Sequence, residues 1–263
     1  MIGAGLGIYA IAIPVLLLAL LSLAEWIWPR RKLVLGRHPR WLTHALFFLT
    51  NAVVGRLLSL GIVVGVAANW AATNDFGLLK LTTWPWLVEA TLAVVILDFA
   101  VWLQHRLMHF SPLLWRMHKV HHSDRDLDAT SALRFHPFEL IVSTLYKSLW
   151  VALLGVPVLI ALAFELWLNA NALFNHSNIR MPRRLDSLIR YIIVTPDMHL
   201  VHHSTIVSEQ HRNYGFALTI WDRLFGTYAD ESVAGRDNQK IGLAEVTDSR
   251  PSNFIWSMKQ PLT

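Results

Sequence analysis

The chain has 263 residues without a single cysteine, and hydrophobic residues make up 54% of it at a mean hydropathy of +0.40. That composition excludes an ordinary soluble enzyme and points to a membrane protein; the missing thiols exclude disulfides, iron–sulfur clusters and haem-thiolate chemistry. The net charge of +5 comes from basic residues placed beside hydrophobic runs, not from an aromatic-interleaved stripe, so no nucleic acid partner is expected.

Residues 3–28 carry no basic residue and one acid, Glu25. They are long enough to cross a hydrocarbon core of about 30 Å as a helix. No basic leader or small-residue cleavage site accompanies them, which predicts a first transmembrane span instead of a removable signal peptide. Residues 29–40 hold five basic residues, Arg30, Arg31, Lys32, Arg37 and Arg40. The positive-inside rule puts them in the cytoplasm and the N-terminus outside. The apolar stretch 41–69, interrupted by Asn51 and Arg56, predicts a second span whose polar residues face neighbouring helices or a cavity. Residues 71–84, with Lys80 as their single base, read as an external loop, with Trp84 and Trp86 at the interface. A third span over 85–104 then brings His105 to the cytoplasmic surface.

Residues 105–137 are polar and read as a cytoplasmic segment. Residues 138–175 turn apolar again around Gly155-Val156-Pro157, helix breakers that predict a hairpin of two helices. At ~1.5 Å per residue, an arm of about 18 residues reaches about 27 Å, enough to span or to stop partway as a re-entrant unit. Residues 176–263 hold ten of the 23 basic residues and are expected to form a cytoplasmic cap. The expected fold is an all-α, multi-pass integral membrane protein of one domain, spanning residues 1–263. It has about four transmembrane helices, or three plus a re-entrant hairpin, under a helical cap that holds a His-rich dimetal site.

The histidines carry that last expectation. Met117-His118-Lys119-Val120-His121-His122-Ser123 returns as Met198-His199-Leu200-Val201-His202-His203-Ser204, with six of seven positions identical. On a helix, the i, i+3, i+4 spacing turns three imidazoles to one face. His105 and His109 add two more, so three short windows carry eight of the thirteen histidines. Ser111-Pro112 and Thr195-Pro196 precede the two copies, each pairing a hydroxyl N-cap with proline at N1, which predicts helices there. All three windows are expected on one membrane face. Their eight imidazoles exceed the positions of one octahedral ion and those of a structural zinc, so two metals fit better.

Asp98, Trp102, His105 and His109 share a helix stripe. A carboxylate inside a span is expensive. Asp98 is expected either to accept the second ring N–H of a metal-bound histidine or to pair with a base such as Arg56 in helix packing. His136 and His176 lie at the two ends of the hairpin, where the residues alone leave them as ligands, helix caps or interface histidines. His38, His44 and His211 read as structural or polar-contact residues.

The boxes His105-x3-His109, His118-x2-His121-His122 and His199-x2-His202-His203, in this order, resemble the fatty acid hydroxylase superfamily, also called the sterol desaturase family. So do Ala132-Leu133-Arg134-Phe135-His136-Pro137, Asn175-His176-Ser177-Asn178, Asn213-Tyr214-Gly215 and Trp221-Asp222-Arg223-Leu224-Phe225-Gly226-Thr227. The resemblance covers residues 98 to 228 and implies an integral-membrane, non-haem diiron oxygenase. It implies two Fe ions held by the eight boxed histidines, with His136 and His176 completing the shell. The implied reaction is O2-dependent hydroxylation or desaturation of a fatty acyl, sterol or ether lipid. Imidazole also accepts zinc, copper and nickel, so iron rests on the resemblance alone. No fused cytochrome b5-like or flavin segment is legible, and electrons are expected from a separate reductase or electron carrier. A non-enzymatic metal transporter would instead place its histidines at mid-span along a pathway. A bis-histidine cytochrome would use two imidazoles and leave the others unexplained.

Overall fold

The computed structural model describes residues 2–262, with side chains for all of them except residues 2–11 and 61. Met1 and Thr263, the outer limits of the expected domain, lie outside the described residues. The described residues form twelve α-helices and no β-strand, as an all-α fold requires.

The first helix, α1 (Ile2–Ile27), leads into the basic segment 29–40. The stretch 41–69 is not one span. It divides into α2 (His38–Leu57) and α3 (Leu60–Thr73) at Ser59, which holds a left-handed backbone with φ +53. The amides of Leu58 and Ser59 close back on the carbonyls of Val54 and Arg56, at 3.0 and 3.2 Å, ending α2 before α3 turns to pack along the hairpin. No proline marks the break, so the apolar run hides it.

The next helix, α4 (Trp86–Phe110), continues past the expected end of the span near Gln104, so His105 and His109 ride on its last turns, on the helix stripe expected for them with Asp98 and Trp102. Its 25 residues extend about 37 Å, which exceeds a hydrocarbon core of about 30 Å and lets those turns project. A short helix, α5 (Pro112–His122), follows.

The hairpin arms are α6 (Pro137–Leu154) and α7 (Val158–Asn175), joined through Gly155 at φ +72. A Cβ at Gly77 would fall 2.3 Å from the Gly155 nitrogen, so the loop after α3 seats on the hairpin turn only because both residues are glycine. Among the residues described with side chains, four stretches are long and apolar enough to cross a membrane: Ile62–Lys80, α4, α6 and α7. Within the same residues, Ala12–Ile27 of α1 is a further apolar helical stretch. Val64, Leu97, Val101, Val151 and Phe164 form the core between α3, α4, α6 and α7. Large apolar residues such as Leu16, Leu20, Val53, Leu145 and Leu149 face outward, as lipid contact demands. The chain is a membrane protein.

The remaining helices are short: α8 (Arg183–Ile189), α9 (Pro196–His202), α10 (Val207–Gln210), α11 (Ile220–Leu224) and α12 (Phe254–Lys259). They share one end of the bundle with the basic segment. Arg30 bonds Asp197 and Asp237, each at 2.8 Å. The amides of Val34 and Leu35 donate to the Asp126 carboxylate at 2.7 Å, and Arg40 pairs with Asp124 at 2.8 Å. Segments 29–40, 105–137 and 176–263 therefore pack as one layer.

Candidate metal centre

Each histidine repeat is placed by its helix start. Ser111 caps α5 by accepting from the Leu114 amide at 3.5 Å, and Thr195 caps α9 by accepting from Met198 at 3.3 Å. Helical spacing then aims the rings, but not all at one point. His118 and His122 join His105, His109 and His202 in a five-histidine group, while His121 joins His176, His199 and His203 in a four-histidine group. Each repeat gives its i and i+4 rings to one group and its i+3 ring to the other. The groups touch: the His122 and His203 rings stack with centroids 4.4 Å apart.

Hydrogen bonds at the outer nitrogens fix the tautomers. Nδ1 of His105 meets the Tyr214 carbonyl at 2.8 Å, that of His176 meets Ala172 at 2.7 Å, and that of His202 meets Arg212 at 2.8 Å. A carbonyl only accepts, so each Nδ1 carries the proton and each Nε2 keeps a lone pair. Nδ1 of His118 meets the Glu139 carboxylate at 2.8 Å, with the same result. Two such lone pairs face each other where His105 Nε2 lies 3.1 Å from His118 Nε2. The His176 Nε2 lone pair lies 3.0 Å from His121 Nε2 and 3.1 Å from His199 Nε2, in rings whose Nδ1 atoms have no partner. Two lone pairs at the His105–His118 distance repel unless a cation lies between. Nitrogens about 2.1 Å from a shared ion and at right angles around it would sit about 3.0 Å apart. Nδ1 of His121, His199 and His203, Nε2 of His202 and both nitrogens of His109 and His122 are buried without a hydrogen-bond partner. The residues fit two metal ions.

Burial, reinforced by neighbouring imidazoles, holds His121, His122, His199 and His203 well below the ordinary histidine range. Burial likewise brings His176 down to about 4 and His202 to about 3. These rings are neutral at pH 7, the form that binds metals.

Of the ten expected ligands, His136 is left outside both groups. It caps α6, its Nδ1 accepting from the Phe138 amide at 3.2 Å, and its ring also bonds the Met258 backbone. Asp98 touches no histidine. Its carboxylate accepts from the Trp221 indole at 2.8 Å and the Leu218 amide at 3.3 Å, tying α11 to α4. The carboxylate on a ring is Glu139, in the first turn of α6, missed because one turn of helix and the chain's tertiary path bring it to His118. His211 contacts the Tyr214 hydroxyl at 3.0 Å.

The motifs after the last box build the support. Asp222 accepts from the Trp102 indole at 3.0 Å, from the amides of Tyr214 and Gly215 at 2.9 and 2.8 Å, and from the Thr227 hydroxyl at 2.6 Å. That locks the Tyr214 carbonyl against His105. Asn213, at φ +53, donates to the Met198 carbonyl at 2.9 Å and so holds α9. A Cβ on Gly215 would come within 2.8 Å of the Val194 side chain, which explains the glycine.

A cavity of about 390 Å³, in the range of small-ligand sites, opens beside the five-histidine group. Phe48, Val101, Met108, Leu140, Leu168 and Phe216 give it apolar walls, and His105, His118 and Glu139 also line it. Asn51, expected to face a neighbour or a cavity, is on this wall and donates to the Phe135 carbonyl at 2.9 Å.

Fold and site together define a membrane-embedded helical bundle with a histidine-built centre suited to two metals. The profile of the fatty acid hydroxylase family matches residues 90–227, which contain all three boxes, and the chain belongs to that family. It is 34% identical to the ornithine lipid hydroxylase OlsE of Rhizobium tropici over 184 residues, 68% of this chain and 52% of that protein. It is 27% identical to the alkylglycerol monooxygenase of Homo sapiens over 206 residues, 75% of this chain and 43% of that protein. Against the fatty acid hydroxylase vlmA of Lecanicillium sp, identity is 31% over 171 residues, 58% of this chain and 45% of that protein. The chain thus spans about half the length of the curated relatives it matches. No solved structure matches it significantly.

Proposed function

We propose that this protein is an O2-dependent, non-haem diiron hydroxylase of membrane lipids, with its metal centre at the cytoplasmic face. The observation that carries the reading is the convergence of nine buried imidazoles in two adjacent groups beside an apolar cavity. The ligands are His105, His109, His118, His122 and His202 for one iron, and His121, His176, His199 and His203 for the other. Family membership favours iron over zinc or copper. The names of the relatives, all hydroxylases or monooxygenases, favour oxygen insertion over desaturation. Packing of the basic segment 29–40 against the metal layer supports the cytoplasmic side.

When bound, the two irons supply O2 activation with electrons from a separate donor. The protein's own part is positioning. Tyr214, Ala172 and Arg212 carbonyls and the Glu139 carboxylate keep four rings in the metal-binding tautomer. The apolar walls exclude water and lay a lipid chain against His105 and His118, where a C–H bond would meet the iron. Metal analysis of the purified protein, paired with lipid profiling of cells with and without it, tests the reading. About two irons per chain are expected, and on deletion an oxygenated lipid species should be lost as its one-oxygen-poorer precursor accumulates. An unchanged lipid profile, or a chain that takes up no iron, overturns it.

A further inference from the structure

The two groups differ in what reaches them. The apolar cavity touches the five-histidine group at His105 and His118. A second cavity, of about 200 Å³, touches the same group at His109 and shares no lining residue with the first. Its outer rim, Val207, Ala244 and Glu245, is exposed, and its inner wall is His109 and Trp115, so it leads from the surface to a ligand ring. His109 is accordingly the most exposed of the nine histidines, at 7%. The walls mix polar and apolar groups and are braced: Gln210 is pinned to the Ser204 carbonyl at 2.8 Å and His211 to the Tyr214 hydroxyl. At about 30 Å³ per water, such a space admits several water-sized molecules and is about half the volume of the apolar cavity. The rings of the four-histidine group are all 3% exposed or less, and the void that His176 lines is about 10 Å³, close to the least that admits one water.

We propose that the His109 cavity is the entry by which small exogenous ligands, diatomic gases and monoanions, reach the five-histidine ion, while lipid reaches that ion through the separate apolar cavity and the buried four-histidine ion is not the one they reach. The proposal rests on the two-ion reading above. Five imidazoles around an ion with six positions leave one for such a ligand, and the second cavity supplies a path that bound lipid does not block. Nine neutral rings leave the charge of the ions largely uncompensated, which favours an anion at the metal, while Glu245 at the rim and Glu139 behind His118 act against it and favour uncharged ligands in the passage.

Azide binding to the iron-loaded full chain, followed by stopped-flow absorbance, tests it. Thr205→Phe and Ala244→Trp narrow the cavity from inside and at its rim; Ser143→Trp fills the lipid cavity. The expected result is azide association slowed about tenfold or more in at least one of the first two, with iron content and the final azide spectrum unchanged. Ser143→Trp and saturating lipid leave the rate alone. His211→Ala, which widens the passage, should speed association and serves if the bulky variants fail to fold. Parental rates in Thr205→Phe, Ala244→Trp and His211→Ala, or a rate that falls with Ser143→Trp, overturn the entry route while leaving the diiron reading standing. A parent chain that binds iron at neither group overturns both.

Discussion

The five-histidine and four-histidine groups are built from the same repeated heptapeptide, yet two sizeable cavities touch the first, while the second is deeply buried beside a void of about 10 Å³. Their outer supports differ as well. In the open group a carboxylate, Glu139, holds His118, whereas in the closed group His176 is held by the Ala172 carbonyl of its own helix. A backbone carbonyl fixes a ring without adding charge; a carboxylate also makes the imidazole a stronger donor. The contrast suggests a division of labour, with the open ion meeting substrate and the closed one held in place beside it.

The strongest way to break the comparison uses adjacent residues. His122→Ala should strip the open ion and His121→Ala the closed one, each weakening its site by ~10–100-fold or more. Metal stoichiometry should fall by about one per chain in both variants, but azide binding should disappear only in His122→Ala. Loss of the same ion from both would refute the crossed arrangement.

Metal removal ranks next. A chelator should extract iron in two phases, with the azide-binding ion leaving first because solvent reaches it. The emptied protein should melt earlier, since an ion present at 1,000 times its dissociation constant stabilises the fold by about 4 kcal/mol. A single extraction phase would erase the distinction between open and closed.

Glu139→Gln sharpens the contrast. It should keep both irons while lowering turnover by roughly 10-fold, and it should shift the spectrum of the azide complex, because only the open ion loses its charged support. A parental azide spectrum and parental turnover would reduce Glu139 to a helix-capping acid. The smallest effect is expected from His136→Ala, which should keep two irons and cost about 1 kcal/mol of stability through loss of the α6 cap. Iron loss there, at unchanged melting temperature, would return His136 to the ligand set.

Much of this was legible from residues alone. Long apolar runs announced spanning helices, Gly155-Val156-Pro157 announced the hairpin, and the boxes announced a metal site, because each signal is local and repeats at helical spacing. The break at Ser59 was not legible, since a serine in left-handed backbone leaves no mark on hydropathy. Of the two roles open to Asp98 the packing one holds, and Glu139, which no sequence signal singled out, supports a histidine instead, for a related reason. Sequence spacing put Asp98 on the stripe of His105, but Trp221, more than a hundred residues away, claims its carboxylate.

Composition and spacing suffice for a membrane-embedded, all-helical chain with a histidine centre for two metals, because bilayer thickness and the helical repeat act on short stretches of sequence. Which ion each ring serves was decided in three dimensions. Rings at i and i+4 on α5 face His202 of α9, while the i+3 ring turns toward His176 at the end of α7, and only the packing of those helices brings the partners within bonding distance.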